Sequence, residues 1–190
     1  MTGMPVNRTD RLTARDPRLV PWRAFLDAHA RITRRLDEEL RAEHDLSLGE
    51  YDALLTIAEA PDRRIRMNQL ADRVVLSKSG VTRLVDRLVA DGLVVRDHCL
   101  SDARGAEAVL TGTGLNRLRA ASRTHLRGIQ AHFLDVVDER DLPVIERAMR
   151  SLGEHAGSRS GESDVRWTPG ASPRATAAQV GGHAEPTTAS

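Results

Sequence analysis

Apolar residues recur at steps of three and four along most of this chain, which is the spacing of one helix face. A first helix is predicted from Pro21, because proline suits the first helical turn. A second is predicted from Leu48 to Glu59, because Ser47 and Glu50 have the spacing of a capping box. The apolar face of the first helix comprises Trp22, Phe25, His29, Ile32, Leu36 and Leu40.

Two shorter helices and a hairpin follow. The first short helix begins at Met67, and the second spans Lys78 to Ala90 after a break in the pattern. Their apolar positions, which we expect to face the core, are Leu70, Ala71, Val74, Val75, Val81, Leu84, Val85 and Leu88. Residues 93–97 and 107–110 then have strand character on either side of a turn at 101–105. This order predicts a helix-turn-helix followed by a β-hairpin, which is called a wing.

A long apolar stripe continues through the C-terminal part of the chain. It comprises Leu115, Leu118, Ser122, Leu126, Ile129, Phe133 and Val136, and a last helix adds Leu142, Ile145, Met149 and Leu152. A stripe of about six turns is too long for a small monomer to cover. We therefore predict that these helices and the first helix form a homodimer interface.

The predicted fold class is mainly α, a winged helix-turn-helix with a small β-hairpin wing and terminal dimerisation helices. From residue 153 onward the chain is rich in Gly, Ser, Ala, Pro and Thr, and such segments bury too little apolar surface to fold. The expected organisation is a flexible segment at 1–20, a domain at 21–152 and a disordered tail at 153–190. Within the domain, the helix-turn-helix lobe is expected at 46–111, and dimerisation helices at 21–45 and 112–152.

Positive charge is concentrated in the helix-turn-helix lobe. The whole chain has a formal net charge of only +1, so affinity for a polyanion has to come from a local cluster. Residues 63–104 contain nine basic and five acidic side chains, whereas residues 23–45 contain five basic and six acidic ones. A single cysteine, the lack of a signal peptide and the lack of an apolar run of about 20 residues favour a cytoplasmic protein with no membrane contact.

The polar face of the helix at Lys78 to Ala90 is typical of a helix that reads base edges in the major groove. We predict contacts to double-stranded DNA from Ser77, Lys78, Ser79, Gly80, Thr82, Arg83 and Arg87. Arg83 is the best candidate for a base contact, because its planar guanidinium can donate to both acceptors of a guanine. Ser77 stands at the cap position, and Gly80 allows close approach of the backbone. The alternative is an ordinary solvated face of an amphipathic helix.

The predicted turn of the wing contains a second candidate contact. Asp102 and Arg104 lie two residues apart, so in an extended turn the carboxylate can orient the guanidinium towards a narrow minor groove. A weak surface ion pair is the alternative for these two residues. Arg63, Arg64 and Arg66 either bind phosphates or solvate a loop.

These residues resemble the MarR family (multiple antibiotic resistance regulators) from about Trp22 to Leu152. The similar segments are Leu70-Ala-Asp-Arg, Leu76-Ser-Lys-Ser-Gly-Val-Thr-Arg-Leu-Val-Asp-Arg-Leu88, Asp91-Gly-Leu-Val-Val-Arg96, Ser101-Asp-Ala-Arg-Gly and Val109-Leu-Thr111. The resemblance implies a homodimeric regulator that binds a palindromic operator and is released by a small aromatic or phenolic effector. The chain departs from the family where Met67 and Asn68 replace the usual Ser or Thr cap.

Four residues are candidates for the lining of an effector cleft: Trp22, His29, Tyr51 and Arg66. A Trp and a His on the apolar face of a first helix are more often core or interface residues. A second hypothesis is a redox-responsive regulator that senses oxidants through Cys99, which follows His98.

A non-DNA helical interaction module is a third hypothesis. The chain has no phosphate-binding loop, nucleophile elbow or His-Glu-x-x-His motif, so we expect no enzyme activity and no cofactor. His125 and His132 are seven residues apart on one helix, which is too wide for one metal ion.

Overall fold

The computed structural model describes residues 13–74, 78–98 and 106–160. These residues form six α-helices and three strands. The helices are α1 (Val20–His44), α2 (Leu48–Glu59), α3 (Met67–Arg73), α4 (Lys78–Ala90), α5 (Gly112–Ile129) and α6 (Leu142–Ser160). The strands are β1 (Arg64–Arg66), β2 (Val94–His98) and β3 (Ala106–Leu110). The mainly α fold class is confirmed, and none of the described helices is long and apolar enough to cross a membrane.

The core of the lobe lies between α2, α3, α4 and the sheet. Its fully buried side chains include Leu54, Ile57, Leu70, Val85, Leu88 and Val94. The predicted bounds of α2 and its capping box are confirmed, since the hydroxyl of Ser47 accepts from the backbone N–H of Glu50 at 3.2 Å. The carboxylate of Glu50 accepts in return from the backbone N–H of Ser47 at 2.9 Å.

The sheet contains a strand that the sequence pattern did not predict. The strand order is β1, β3, β2, and both neighbouring pairs are antiparallel. The short β1 therefore extends the hairpin of β2 and β3 by pairing with β3. No strand was predicted at Arg64-Ile65-Arg66, where solvation of a loop was one of two alternatives for the arginines. Three residues are too few to reveal an alternating pattern, but Ile65 is buried at 4% exposure and holds β1 on the core.

Both ends of the described chain are more regular than expected. A short 3-10 turn at Pro17–Leu19 precedes α1, and the Asp16 side chain caps it by accepting from the backbone N–H of Arg18 at 2.8 Å. This turn and the start of α1 thus occupy residues 17–20, within the segment expected to be flexible. Residues 153–160 continue α6, although the tail was expected from residue 153 onward. Residues 1–12 and 161–190 lie outside the described residues.

The apolar stripe of the C-terminal part divides into two halves. Leu115 and Leu118 are buried against the lobe, whereas Leu126 is 58% exposed and Val136 is 74% exposed. Within the exposed half, after Leu126, α5 runs directly into a π-helical turn at Gln130–Leu134. Gly128 lies so close to α1 that a Cβ atom there would be 2.6 Å from a Leu36 methyl group. The glycine therefore allows α1 and α5 to cross tightly.

Candidate nucleic-acid interface

Helix α4 buries its apolar face and exposes its polar face. Val81, Leu84, Val85 and Leu88 are between 0% and 3% exposed, which confirms them as core positions. The side chains of Ser79, Thr82 and Arg83 are exposed on the other side, and Gly80 is half-buried. The structure thus brings these four predicted site residues onto one outward surface.

The arginine predicted to read a base lies along this exposed surface. The Nε of Arg83 donates to the carbonyl oxygen of Ser79, one turn earlier in α4, at 3.4 Å. This long hydrogen bond within one helix leaves the guanidinium at the surface. Lys78 is the first residue of α4. Ser77, Cys99, Asp102 and Arg104 lie outside the described residues.

An ion pair joins α4 to the wing. Nη1 of Arg96, in β2, lies 2.7 Å from a carboxylate oxygen of Asp86, in α4. Nη2 of the same arginine donates to the carbonyl oxygen of Thr82 at 3.3 Å. Arg96 therefore binds two successive turns of α4 and fixes this helix against β2.

A second ion pair joins α4 to the start of α2. Nε of Arg87 lies 2.7 Å from Oε1 of Glu50, whose side chain is only 12% exposed. Burial raises the pKa of Glu50, but the hydrogen bonds from Arg87 and Ser47 lower it by more, so the pKa lies below its ordinary value. The carboxylate is therefore charged at neutral pH. The capping-box pattern identified Glu50 as a helix cap but contained no signal for a partner 37 residues away.

Three arginines lie just before α3, and one of them forms ion pairs with the wing. Arg64 binds both wing strands, with Nη2 at 3.3 Å from Asp97 and Nη1 at 3.2 Å from Glu107. Its guanidinium thus joins the base of the wing. Arg63 is exposed with a positive φ of 54°, and Arg66 is exposed in β1.

Two of the four candidate effector residues lie near the start of α1, and a third lies elsewhere in the fold. Trp22 and His29 flank Phe25 in a row of tilted rings near the start of α1, with centroid distances of 5.9 and 6.1 Å. Tyr51 instead lies under α5, close to the level of His44 at the other end of α1. A rise of 1.5 Å per residue separates Trp22 from His44 by roughly 33 Å. Trp22 and Tyr51 are therefore far apart within one chain, and their contact with an effector stays a prediction.

Tyr51 has an aromatic neighbour that the sequence interpretation considered only as a metal ligand. Its ring centroid lies 4.5 Å from that of His125, and its hydroxyl donates to Oγ of Ser122 at 3.4 Å. Nδ1 of His125 is buried and has no hydrogen-bond partner among the described residues. Burial lowers the pKa of His125, so the ring is neutral at pH 7.

A polar layer fixes α1 against α5 next to this pair of rings. Thr124 is 2% exposed and donates to Glu43 at 2.8 Å, and its oxygen lies 2.8 Å from Nε2 of His44. Glu39 and His132 form a further contact at 2.7 Å. Among the residues in the described ranges, no group of three His, Cys, Asp or Glu side chains is arranged to hold a metal ion.

Comparisons with known proteins agree with this architecture. A family model described as MarR family matches residues 44–105. The chain is 33% identical over 102 residues to the HTH-type transcriptional repressor YetL of Bacillus subtilis, a match that spans 54% of this chain and 61% of YetL. The chain thus covers less than two thirds of that relative.

Two solved structures from Streptomyces coelicolor are matched over almost their whole length. AbsC, a MarR family transcriptional regulator, has a TM-score of 0.71 and 31% identity, with 79% of this chain and 99% of AbsC covered. Sco3205, a MarR family transcriptional regulator solved in complex with DNA, has a TM-score of 0.73 and 30% identity. That match covers 85% of this chain and 99% of Sco3205.

Proposed function

Because the chain belongs to the MarR family of transcriptional regulators, we propose that it binds double-stranded operator DNA as a homodimer and represses transcription. The observation that carries this proposal is helix α4, whose apolar face is buried and whose polar face is exposed. Sco3205, a relative with 30% identity, is described in complex with DNA. YetL, a relative with 33% identity, is described as a repressor.

The proposed DNA contacts follow from the position of each element. Helix α4 enters the major groove, where Ser79, Thr82 and Arg83 meet base edges or phosphates and Gly80 lets the backbone approach. We further propose, from the sequence, that Ser77 and Lys78 contact a phosphate. Arg104, with Asp102 as its partner, is proposed to contact the neighbouring minor groove.

A homodimer is proposed from the apolar surface that one chain leaves exposed. Trp22 is 53% exposed at the start of α1, and Leu152 is 56% exposed in α6. Further exposed apolar side chains on the terminal helices are Val20, Phe25, Leu26, Leu126, Val144 and Met149, and Val136 is exposed in the turn before α6. A second copy would cover this surface, and its two-fold symmetry would make the preferred operator palindromic.

Release by a small aromatic or phenolic effector is proposed at the contact between α2 and α5. Tyr51 supplies an aromatic surface there, and the buried Nδ1 of His125 is a polar atom that a phenol or carboxylic acid can satisfy. A ligand that separated the two rings would move α2, which carries the Glu50 partner of Arg87 in α4.

A competition titration tests the proposed function. Fluorescence anisotropy is measured with labelled DNA from the region flanking the protein's own gene, at moderate salt, with unlabelled random DNA as competitor. We expect binding that survives an excess of competitor, because specific sites are typically bound 10³ to 10⁷ times more tightly than random DNA. Equal displacement by operator and random DNA would contradict the proposal. Addition of salicylate, a simple phenolic acid, is then expected to lower the affinity.

A further inference from the structure

We infer that Arg87 is a positioning residue that orients α4 through Glu50, and not a residue that reads DNA. This inference rests on the proposed DNA-binding function and assigns a role within that surface. Arg87 and Arg83 both belong to the polar side of α4, one turn apart, and sequence alone treats them alike. Their partners in the structure are different.

The carboxylate of Glu50 is shared between two structural tasks. Its Oε2 accepts from the backbone N–H of Ser47 at 2.9 Å and from the Ser47 hydroxyl at 2.8 Å, which caps α2. Its Oε1 accepts from Nε of Arg87 at 2.7 Å. Because Glu50 is almost fully buried, withdrawal of Arg87 would leave a buried charge with only its cap contacts. The pairing of Arg87 with Glu50 is therefore favoured over a phosphate contact.

The neighbouring residue in α4 is fixed from a different direction. Asp86 pairs with Arg96 of β2, whereas Arg87 pairs with Glu50 of α2. Successive side chains of a helix point about 100° apart, so the two ion pairs restrain α4 on two sides and oppose its rotation about its axis. This restraint keeps the face with Thr82 and Arg83 directed outward.

The start of α2 is itself bound to α1. The backbone N–H of Leu48 donates to Oδ1 of Asp37 at 2.8 Å, and Oδ2 of Asp37 accepts from Arg41 at 2.7 Å. Direct contacts therefore join α1, the first turn of α2 and the last turn of α4. The orientation of the proposed reading surface thus depends on residues that never touch DNA.

Three variants of the full chain test this role: Glu50→Gln, Arg87→Gln and the double variant. Glutamine retains the capping-box geometry of Glu50, so Glu50→Gln removes the ion pair and leaves the cap. We expect each single variant to lose operator affinity by about tenfold, and the double variant to lose no more than either single variant, because all three remove the same contact. Random-DNA affinity and the slope of log affinity against log salt should stay at the wild-type values.

Glu59→Gln is the matched control, because it removes the same charge from an exposed position at the end of α2. It should bind operator as the wild type does. The inference is overturned if Arg87→Gln weakens binding to operator and random DNA alike and lowers the salt slope by about one, as loss of a phosphate contact does. It is equally overturned if Glu50→Gln binds operator as tightly as the wild type.

Thermal melts establish that each variant is folded at the assay temperature. If Glu50→Gln is unfolded at that temperature, the test uses the slope of log affinity against log salt for Arg87→Gln. An unchanged slope supports the inference, and a reduced slope refutes it. If the wild type itself has no preference for operator over random DNA, the proposed function fails and not the role of Arg87.

Discussion

Two arginines of α4 differ in what their guanidinium groups contact. Arg87 donates to a nearly buried carboxylate of another helix. Among the residues that the structure describes, Arg83 instead donates a long 3.4 Å hydrogen bond to a carbonyl of its own helix. A contact of that length costs little to exchange for a base edge. Arg83 is therefore the arginine of this surface that is best placed to specify a base pair.

Replacement of Arg83 by alanine should relax sequence specificity. We expect a loss of about 1–3 kcal/mol in operator binding and little change on random DNA, because a base contact contributes only at its own base pair. Titration against operators with single base-pair changes measures this, and one base pair should cease to matter. Arg119→Ala, at an exposed position of α5, serves as the control. Equal losses on operator and random DNA would refute the assignment of Arg83 as a base reader.

At the scale of elements, the beginning of α5 is fitted closely to the wing. The hydroxyl of Thr111 accepts from the backbone N–H of Gly114 at 2.9 Å, which caps the helix, and donates to the carbonyl of Gly92 at 2.8 Å. A Cβ atom at Gly114 would overlap the carbonyl oxygen of Leu93 and lie 2.8 Å from a Leu110 methyl group. The helix can start here only because residue 114 has no side chain.

Gly114→Ala should therefore destabilise the folded chain, although alanine is the better helix former. Overpacking of this kind typically costs about 1–3 kcal/mol, which exceeds the gain of up to about 1 kcal/mol in helix propensity. Gly112→Ala is the matched control in the same helical turn, because no atom lies within 4 Å of a Cβ there. Urea unfolding should show a lower free energy of unfolding for Gly114→Ala and no loss for Gly112→Ala. Unfolding of the two variants at the same urea concentration would contradict the predicted destabilisation by Gly114→Ala.

At the scale of the whole molecule, the lobe is well packed but the terminal helices are not covered. The lobe residues Leu54 and Leu88 have no exposed surface, whereas Leu126 and Leu152 are more than half exposed. Leu126 lies beyond the part of α5 that packs on the lobe, and Leu152 belongs to α6. An apolar surface of this extent on separate helices is typical of an obligate interface.

The wild-type chain should consequently be a dimer in solution, and charges in this surface should separate it. We expect Leu126→Glu combined with Leu152→Glu to give monomers that keep the helical content of the wild type, because a buried unpaired carboxylate is costly at an interface and harmless in water. Sedimentation equilibrium measures the mass, and circular dichroism measures the helix content. Val95→Glu, at a 48% exposed site in the wing, is the control that should remain dimeric. A monomeric wild type would contradict the prediction.

The features that could be predicted from the sequence depend on residues that lie close together along the chain. Capping and helical periodicity involve residues three or four positions apart, so the Ser47 cap, the bounds of α2 and the buried face of α4 could be predicted. Such signals also indicate which face of a helix is polar. They contain no information about which distant residue will meet that face.

The contacts between residues far apart in the chain became visible only in the folded structure. Strand β1 is too short to have a pattern and exists because β3 pairs with it some forty residues later. The spacing of α4 predicts a DNA contact for Arg87 and contains no signal for its ion pair with Glu50, 37 residues away. The wide separation of Trp22 from Tyr51 likewise follows from the length of α1. These outcomes depend on how helices and strands pack in space, and local hydrophobic periodicity does not encode that packing.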